Sequence, residues 1–229
     1  MSEHVFQYIP HDITPINALQ YLKEGNFRFV NNLKMNRDLL EQVNATKDGQ
    51  WPFASILSCM DSRTSAELIF DQGLGDIFSI RIAGNVITKG ILGSLEYATA
   101  VAGSKLILVL GHTNCGAIKG ACDNVQLGNL TGLLNSIRPS VDAARDKFAT
   151  ADSSNYEFVN TVAEKNILNS THEIIRQSEV IRGLIEQQKV GIVPAMYNVG
   201  TGFVTFYESE AILNIPEWYI AEQSHAKAV

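Results

Sequence analysis

Two short stretches gather the residue types that do metal and proton chemistry: Cys59-Met60-Asp61-Ser62-Arg63 and His112-Thr113-Asn114-Cys115. Each directly follows an apolar run that reads as a buried strand, over 54–58 and 105–110. In a parallel α/β sheet the C-terminal strand ends share one edge, and ligands bind there. The pattern therefore predicts that Cys59, His112 and Cys115 meet. Two thiolates and an imidazole suit zinc, and catalytic zinc sites combine three protein ligands with an open position. Each residue alone has a plainer reading. A strand-end cysteine is often a small buried hydrophobe, a single histidine is often a satisfied structural residue, and His-x-x-Cys arises by chance in many chains. Their joint placement at two strand ends is what favours a site. Asp61 and Arg63, two apart on a segment read as extended, point the same way. They can pair through two parallel hydrogen bonds, which would lower the carboxylate pKa. An ordinary structural ion pair is the alternative.

The elements that must position these residues alternate along the chain. Thr14-Pro15 starts a helix, with Thr as N-cap and Pro at the first position. Leu19, Leu22 and Phe29 share one face of it, and Gly25 weakens its middle. Trp51-Pro52 breaks the chain before the strand at 54–58. A short helix is predicted over 65–70, a β-branched strand over 77–82, and a helix over 91–101. Gly111 is read as the end of the 105–110 strand, and 115–122 as a small-residue helix. The stretch 130–188 is helical, interrupted at Pro139 and around 152–155; strands follow at 190–197 and 203–207. This alternation predicts an α/β fold with a central, mainly parallel sheet flanked by helices. A single domain over 1–229 is expected, with an N-terminal helical arm (1–50), an α/β core (51–215) and a tail (216–229).

Composition excludes several classes. The 229 residues carry a net charge of −6 and 18% charged side chains, with 45% hydrophobic residues and a mean hydropathy of +0.01. Disorder is incompatible with so much apolar content. No Lys/Arg cluster marks a nucleic-acid or membrane patch, and the longest apolar run, 106–110, is far short of the ~20 residues of a membrane span. No secretory signal is visible, so a cytoplasmic location is expected. Three cysteines in a chain this long argue against a disulfide scaffold. Cys122, about two helical turns beyond Cys115, reads as packing. His4, His11, His172 and His225 read as surface residues, with His225 a candidate mobile proton carrier. Gly200-Thr201-Gly202 lacks the third glycine and the helix of a dinucleotide loop. The low charge suggests apolar surface covered by another subunit.

The chain resembles the β-class carbonic anhydrases. The matching stretches are Cys59 to Arg63, Arg81-Ile82-Ala83-Gly84-Asn85, Ser94-Leu95-Glu96-Tyr97-Ala98 and Gly111-His112-Thr113-Asn114-Cys115-Gly116-Ala117, in the family's order and spacing. The resemblance is strong over roughly 50–120 and looser outside. It implies one zinc per subunit held by Cys59, His112 and Cys115, with Asp61 and Arg63 as a catalytic dyad. Asp61 would ligate zinc only in a closed form. It also implies a homodimer or homotetramer with active sites at the subunit interface. Ile56 stands where one subgroup has a bicarbonate-binding tryptophan, whereas Gln50, Phe78 and Tyr97 match the open, plant-like subgroup. There Gln50 would donate to bicarbonate, Phe78 and Tyr97 would wall the CO2 pocket, and the backbone of Gly116 would face substrate. Ile82 and Ala83 depart from common family residues and make the pocket rim more apolar or roomier.

The implied reaction is reversible hydration of CO2 by zinc-bound hydroxide. Two thiolates cancel the charge of Zn2+, and a neutral centre acidifies water less than a cationic one. Activity rising into the alkaline range is therefore expected. Hydrolysis of carbonyl sulfide or carbon disulfide would use the same site. An inactive zinc-binding structural or regulatory protein would need a fourth protein ligand. A redox thiol role is disfavoured because there is no Cys-x-x-Cys. The helix bearing Leu19, Leu22 and Phe29 is the expected contributor to the subunit interface.

Overall fold

A computed structural model describes residues 13–214, 216 and 219. The arm begins with α1 (Pro15–Val30). Thr14 and Asn17 form a reciprocal cap: the Thr14 hydroxyl accepts from the Asn17 backbone N–H and the Asn17 side-chain Oδ1 accepts from the Thr14 backbone N–H. A second arm helix, α2 (Leu39–Thr46), is capped by Asp38.

The core then runs β1 (Ala54–Ser58), α3 (Ala66–Ile69), β2 (Ile77–Arg81), α4 (Lys89–Glu96), β3 (Leu106–His112), α5 (Gly116–Cys122), α6 (Gly128–Asn135), α7 (Arg138–Ala144), α8 (Tyr156–Gln177), α9 (Glu179–Glu186), β4 (Gly191–Tyr197) and β5 (Val204–Phe206). The sheet order is β2-β1-β3-β4-β5, parallel except for antiparallel β5. The mainly parallel sheet matches expectation. Because β1 leads to β2 on one side and pairs with β3 on the other, the strand order reverses between β1 and β3. That is where an open α/β sheet makes its ligand crevice.

Both faces of the sheet are covered, so β1, β3 and β4 are buried throughout and read as continuous apolar runs. On one face Leu57, Ile107, Val109 and Ile192 pack with α8 residues such as Val162 and Ile167. On the other, Ile56, Leu106, Leu108 and Val193 pack with Ala18, Leu19 and Leu22 of α1. Among the described residues no helix is long and apolar enough to cross a membrane.

Three expectations are corrected and one, at Pro139, is met. Gly111 does not end its strand: β3 runs on to His112, and Gly111 pairs with Met196. Glycine is needed there because a Cβ would stand 2.5 Å from the Ile167 side chain. Gly25 does not weaken α1 without return. A Cβ there would lie 1.8 Å from the Phe70 carbonyl oxygen, so its absence lets the helix seat against the end of α3. The interruption expected at Pro139 is present: the chain breaks at 136–137, and Pro139 sits in the first turn of α7, where its missing N–H costs nothing. The face bearing Leu19, Leu22 and Phe29 is not an intersubunit surface. Leu19 and Leu22 are buried against the chain's own sheet, and Phe29 packs against the same cluster. Among the described residues, the arm's exposed large apolar side chains are Ile16, Phe27, Leu33, Leu39, Leu40 and Val43.

Candidate metal centre and active site

Cys59 follows the last residue of β1, His112 is the last residue of β3, and Cys115 is the N-cap of α5. The register pairs Ser58 with Leu110, which brings Cys59 level with Gly111 and adjacent to His112. All three side chains are buried, and their ligand atoms lie within 4.8 Å of one another. The two sulfurs are 3.8 Å apart.

His112 Nδ1 lies 3.0 Å from the Thr113 carbonyl oxygen, which can only accept. The Nδ1–H tautomer follows, and Nε2 is left as a buried lone pair with no hydrogen-bond partner. A buried polar atom with no partner calls for an explanation, and a metal ion shared with two sulfurs supplies it. The donor set fits a soft or borderline divalent metal.

The thiols are polarised apart. Cys59 is pulled well below its ordinary value, first by the hydrogen bond from the Cys115 thiol, with the Gly84 N–H at 3.4 Å adding to it. Cys115 is pushed far up by the same pairing and by burial. The two sulfurs thus face each other across the place a cation would take, and binding a cation there would displace the thiol protons.

Asp61 and Arg63 pair as expected, but within a turn rather than on an extended segment. Arg63 Nε donates to Oδ1 at 2.9 Å and Nη2 to Oδ2 at 2.8 Å. The Arg63 backbone N–H adds a third bond, to Oδ1 at 3.0 Å. These donors hold the Asp61 carboxyl far below the usual carboxylate range. Asp61 Oδ2 stands 4.0 Å from His112 Nε2, at the edge of the cluster. A carboxylate that stays ionised beside the cluster can accept a proton or a hydrogen bond but not donate one.

The loop's backbone is held from β2. Arg81 Nε donates to the Cys59 carbonyl at 3.1 Å, and Nη2 to the Asp61 carbonyl at 2.6 Å. The Thr64 hydroxyl lies 3.0 Å and 2.9 Å from the same two carbonyls, and the Thr64 N–H reaches the second at 3.0 Å.

Gly116 is exposed immediately after Cys115, with open space where a Cβ would stand. The other sequence-predicted residues lie elsewhere. Gln50 is exposed on the segment between α2 and β1. Phe78 and Tyr97 meet edge to face with centroids 6.4 Å apart, in a cleft of about 360 Å³ beside edge strand β2 and α4. Phe78 pairs with Ser55, four residues before Cys59. At ~3.3 Å per residue it lies roughly 13 Å down the strand direction from the cluster. One chain therefore joins Cys59, His112, Cys115, Asp61, Arg63 and Gly116, and keeps Phe78 and Tyr97 together but apart from them. Cys122 is buried packing, its thiol pushed up to about 11 by desolvation. His4, His11 and His225 lie outside the described residues.

Sequence reasoning missed the Gly84 N–H, the Thr113 carbonyl, Thr64 and the role of Arg81. Arg81 and Gly84 stood inside a matched motif without a chemical assignment. The Thr113 and Gly84 contributions are backbone groups that no residue type announces.

Comparisons with known proteins place this arrangement. The family model described as carbonic anhydrase matches residues 54–204, from the start of β1 through β4 to the first residue of β5. Carbonic anhydrase 2 of Mycobacterium tuberculosis is 34% identical over 189 residues, covering 82% of this chain and 90% of that protein. Among solved structures, the β-carbonic anhydrase CcaA is 25% identical with a TM-score of 0.66, covering 85% of this chain and 93% of that one. The β-carbonic anhydrase CafA of Aspergillus fumigatus shares the fold at 24% identity, with a TM-score of 0.70 and coverage of 92% and 97%. The chain belongs to the carbonic anhydrase family, in its β class.

Proposed function

We propose that this protein is a zinc-dependent carbonic anhydrase that interconverts CO2 with bicarbonate and a proton. The observation that carries the reading is a buried Cys59–His112–Cys115 cluster flanked by an ionised carboxylate that Arg63 holds to one side. Two ligand sulfurs at ~2.3 Å from a tetrahedral zinc stand about 3.8 Å apart, and the Cys59–Cys115 separation is 3.8 Å. Bound zinc supplies a nucleophilic water near neutral pH.

Asp61 accepts the hydrogen bond of the attacking water and so aims its lone pair toward CO2. Arg63 keeps Asp61 ionised and out of the ligand set, which leaves the fourth position open. The exposed Gly116 backbone lines the approach to the cluster.

The Phe78–Tyr97 cleft is the CO2 wall of a second copy's site, and Gln50 is the bicarbonate donor of that composite site. This makes the active form a homodimer or a homotetramer. Support comes from the distance of the cleft from its own cluster and from exposed Leu39, Leu40 and Val43 on the arm. The test is stopped-flow CO2 hydration paired with metal analysis of the same preparation, with carbonyl sulfide assayed alongside. CO2 hydration that tracks zinc content supports the reading. Carbonyl sulfide turnover exceeding CO2 hydration would reassign the substrate. A full zinc complement without either activity would reduce the protein to a metal-binding relative.

A further inference from the structure

We propose that Arg81 is a positioning residue, whose guanidinium sets the peptide planes that carry both Cys59 and Asp61. The inference rests on the carbonic anhydrase reading for its kinetic consequence, but not for its geometry. Arg81 is the last residue of β2, paired in register with Ser58, so its side chain reaches across the end of β1. There it donates to the carbonyls of Cys59 and Asp61 at 3.1 Å and 2.6 Å, and approaches the Thr64 hydroxyl at 3.4 Å. Two carbonyls two residues apart can share one planar donor only if the chain between them is curled. The curl is therefore part of what the fork holds.

The Thr64 hydroxyl faces the same two carbonyls but has one proton, so it satisfies one of them at a time. Arg81 supplies two donors at once. With both peptides fixed, the Asp61 carboxylate is limited to a few staggered positions, and Arg63 occupies one of them. The carboxylate is thereby set relative to Cys59 through a single side chain that bonds the backbone of the loop and none of the ligand atoms. Arg81 itself is exposed. Its role is local geometry rather than core stability.

The experiment compares the zinc-loaded full chain with Arg81→Ala and Arg81→Lys. It reads zinc content, kcat and KM for CO2, and hydrogen exchange at the Thr64 amide, which donates to the Asp61 carbonyl. For Arg81→Ala the expected results are an unchanged zinc content and a kcat lowered about 10- to 100-fold, the cost of a displacement near 1 Å. KM stays within about threefold, and Thr64 exchange is at least ~10-fold faster. Arg81→Lys, which keeps the charge but not the fork, recovers only part of the loss.

A rise in KM with kcat unchanged would overturn the proposal, because it would mean that Arg81 attracts the anion rather than positions the loop. Thr64 exchange within about twofold of the parent would also overturn it. If Arg81→Ala does not fold, Thr64→Val tests the same carbonyls with the same expected direction and a smaller effect. A parent protein without CO2 hydration would defeat the functional reading alone, while the exchange result would still decide the clamp.

Discussion

The Cys59–His112–Cys115 cluster and the Phe78–Tyr97 cleft are built on opposite terms. The Cys59–His112–Cys115 cluster is closed by its own chain, with buried ligand atoms, one tautomer fixed by Thr113 and one sulfur contacted by the Gly84 N–H. The Phe78–Tyr97 cleft is open, and Tyr97 is 54% exposed. The first is a preorganised site, where groups already in place cost no reorganisation during reaction. The second has the composition of a pocket wall without a pocket floor. The metal-ligating half of the proposed site is assembled within one chain, whereas the Phe78–Tyr97 half lies open, and only the proposed dimer would complete it.

The comparison can be broken most severely at the cluster. Replacing Cys115 with Ser removes a ligand. Losses of at least ~10²-fold in metal affinity are expected, because even groups behind the ligands carry 10- to 100-fold. Dialysis followed by elemental analysis measures this, and no rate is expected to survive. Asp61→Asn is next: metal content stays, while the hydration rate falls by about 10²- to 10⁴-fold, the usual weight of a positioned proton acceptor.

The open cleft is tested by mixing. Cys115→Ser and Tyr97→Ala proteins, each impaired alone, regain activity when mixed if the sites are shared between copies. If each chain builds its whole site, mixing changes nothing. Leu40, 76% exposed on the arm, probes the same point from the surface. Leu40→Asp is expected to weaken self-association by about 30-fold or more, read by light scattering, without emptying the metal site.

The smallest effect is acid stability. Because Arg63 lowers the Asp61 pKa, its contribution is present above the unfolded value of ~3.9 and is lost as pH falls through the lower folded one. Partial exposure keeps this below about 1 kcal/mol. Urea midpoints of parent and Arg63→Ala should therefore differ by less at pH 3 than at pH 7.

What was legible in the sequence follows from burial. β1 and β3 are covered on both faces, so their apolar runs announce them, and chemistry at the ends of two such strands implies one shared edge. α2 was not read as a helix, because Leu39, Leu40 and Val43 face outward and leave no buried stripe; its only signal was Asp38 as a cap. β3 was ended too early at Gly111, since glycine reads as a stop where here it makes room for Ile167. Leu19 and Leu22 were assigned to an interface because periodicity shows which face is apolar but not what covers it. The Asp61–Arg63 pair was legible from its spacing, although it forms in a turn. The fork of Arg81 on two carbonyls was not, because backbone acceptors have no letter in the sequence.

On the proposed reading, the buried cluster and its neighbouring carboxylate form one hydration centre. Stopped-flow CO2 hydration on protein of known metal content, followed from about pH 6 to 9, tests it most directly. The expected result is a rate proportional to bound zinc and a kcat/KM that climbs with pH, as a centre neutralised by two thiolates requires. One equivalent of bound zinc with no hydration above buffer at pH 8.5 would contradict it.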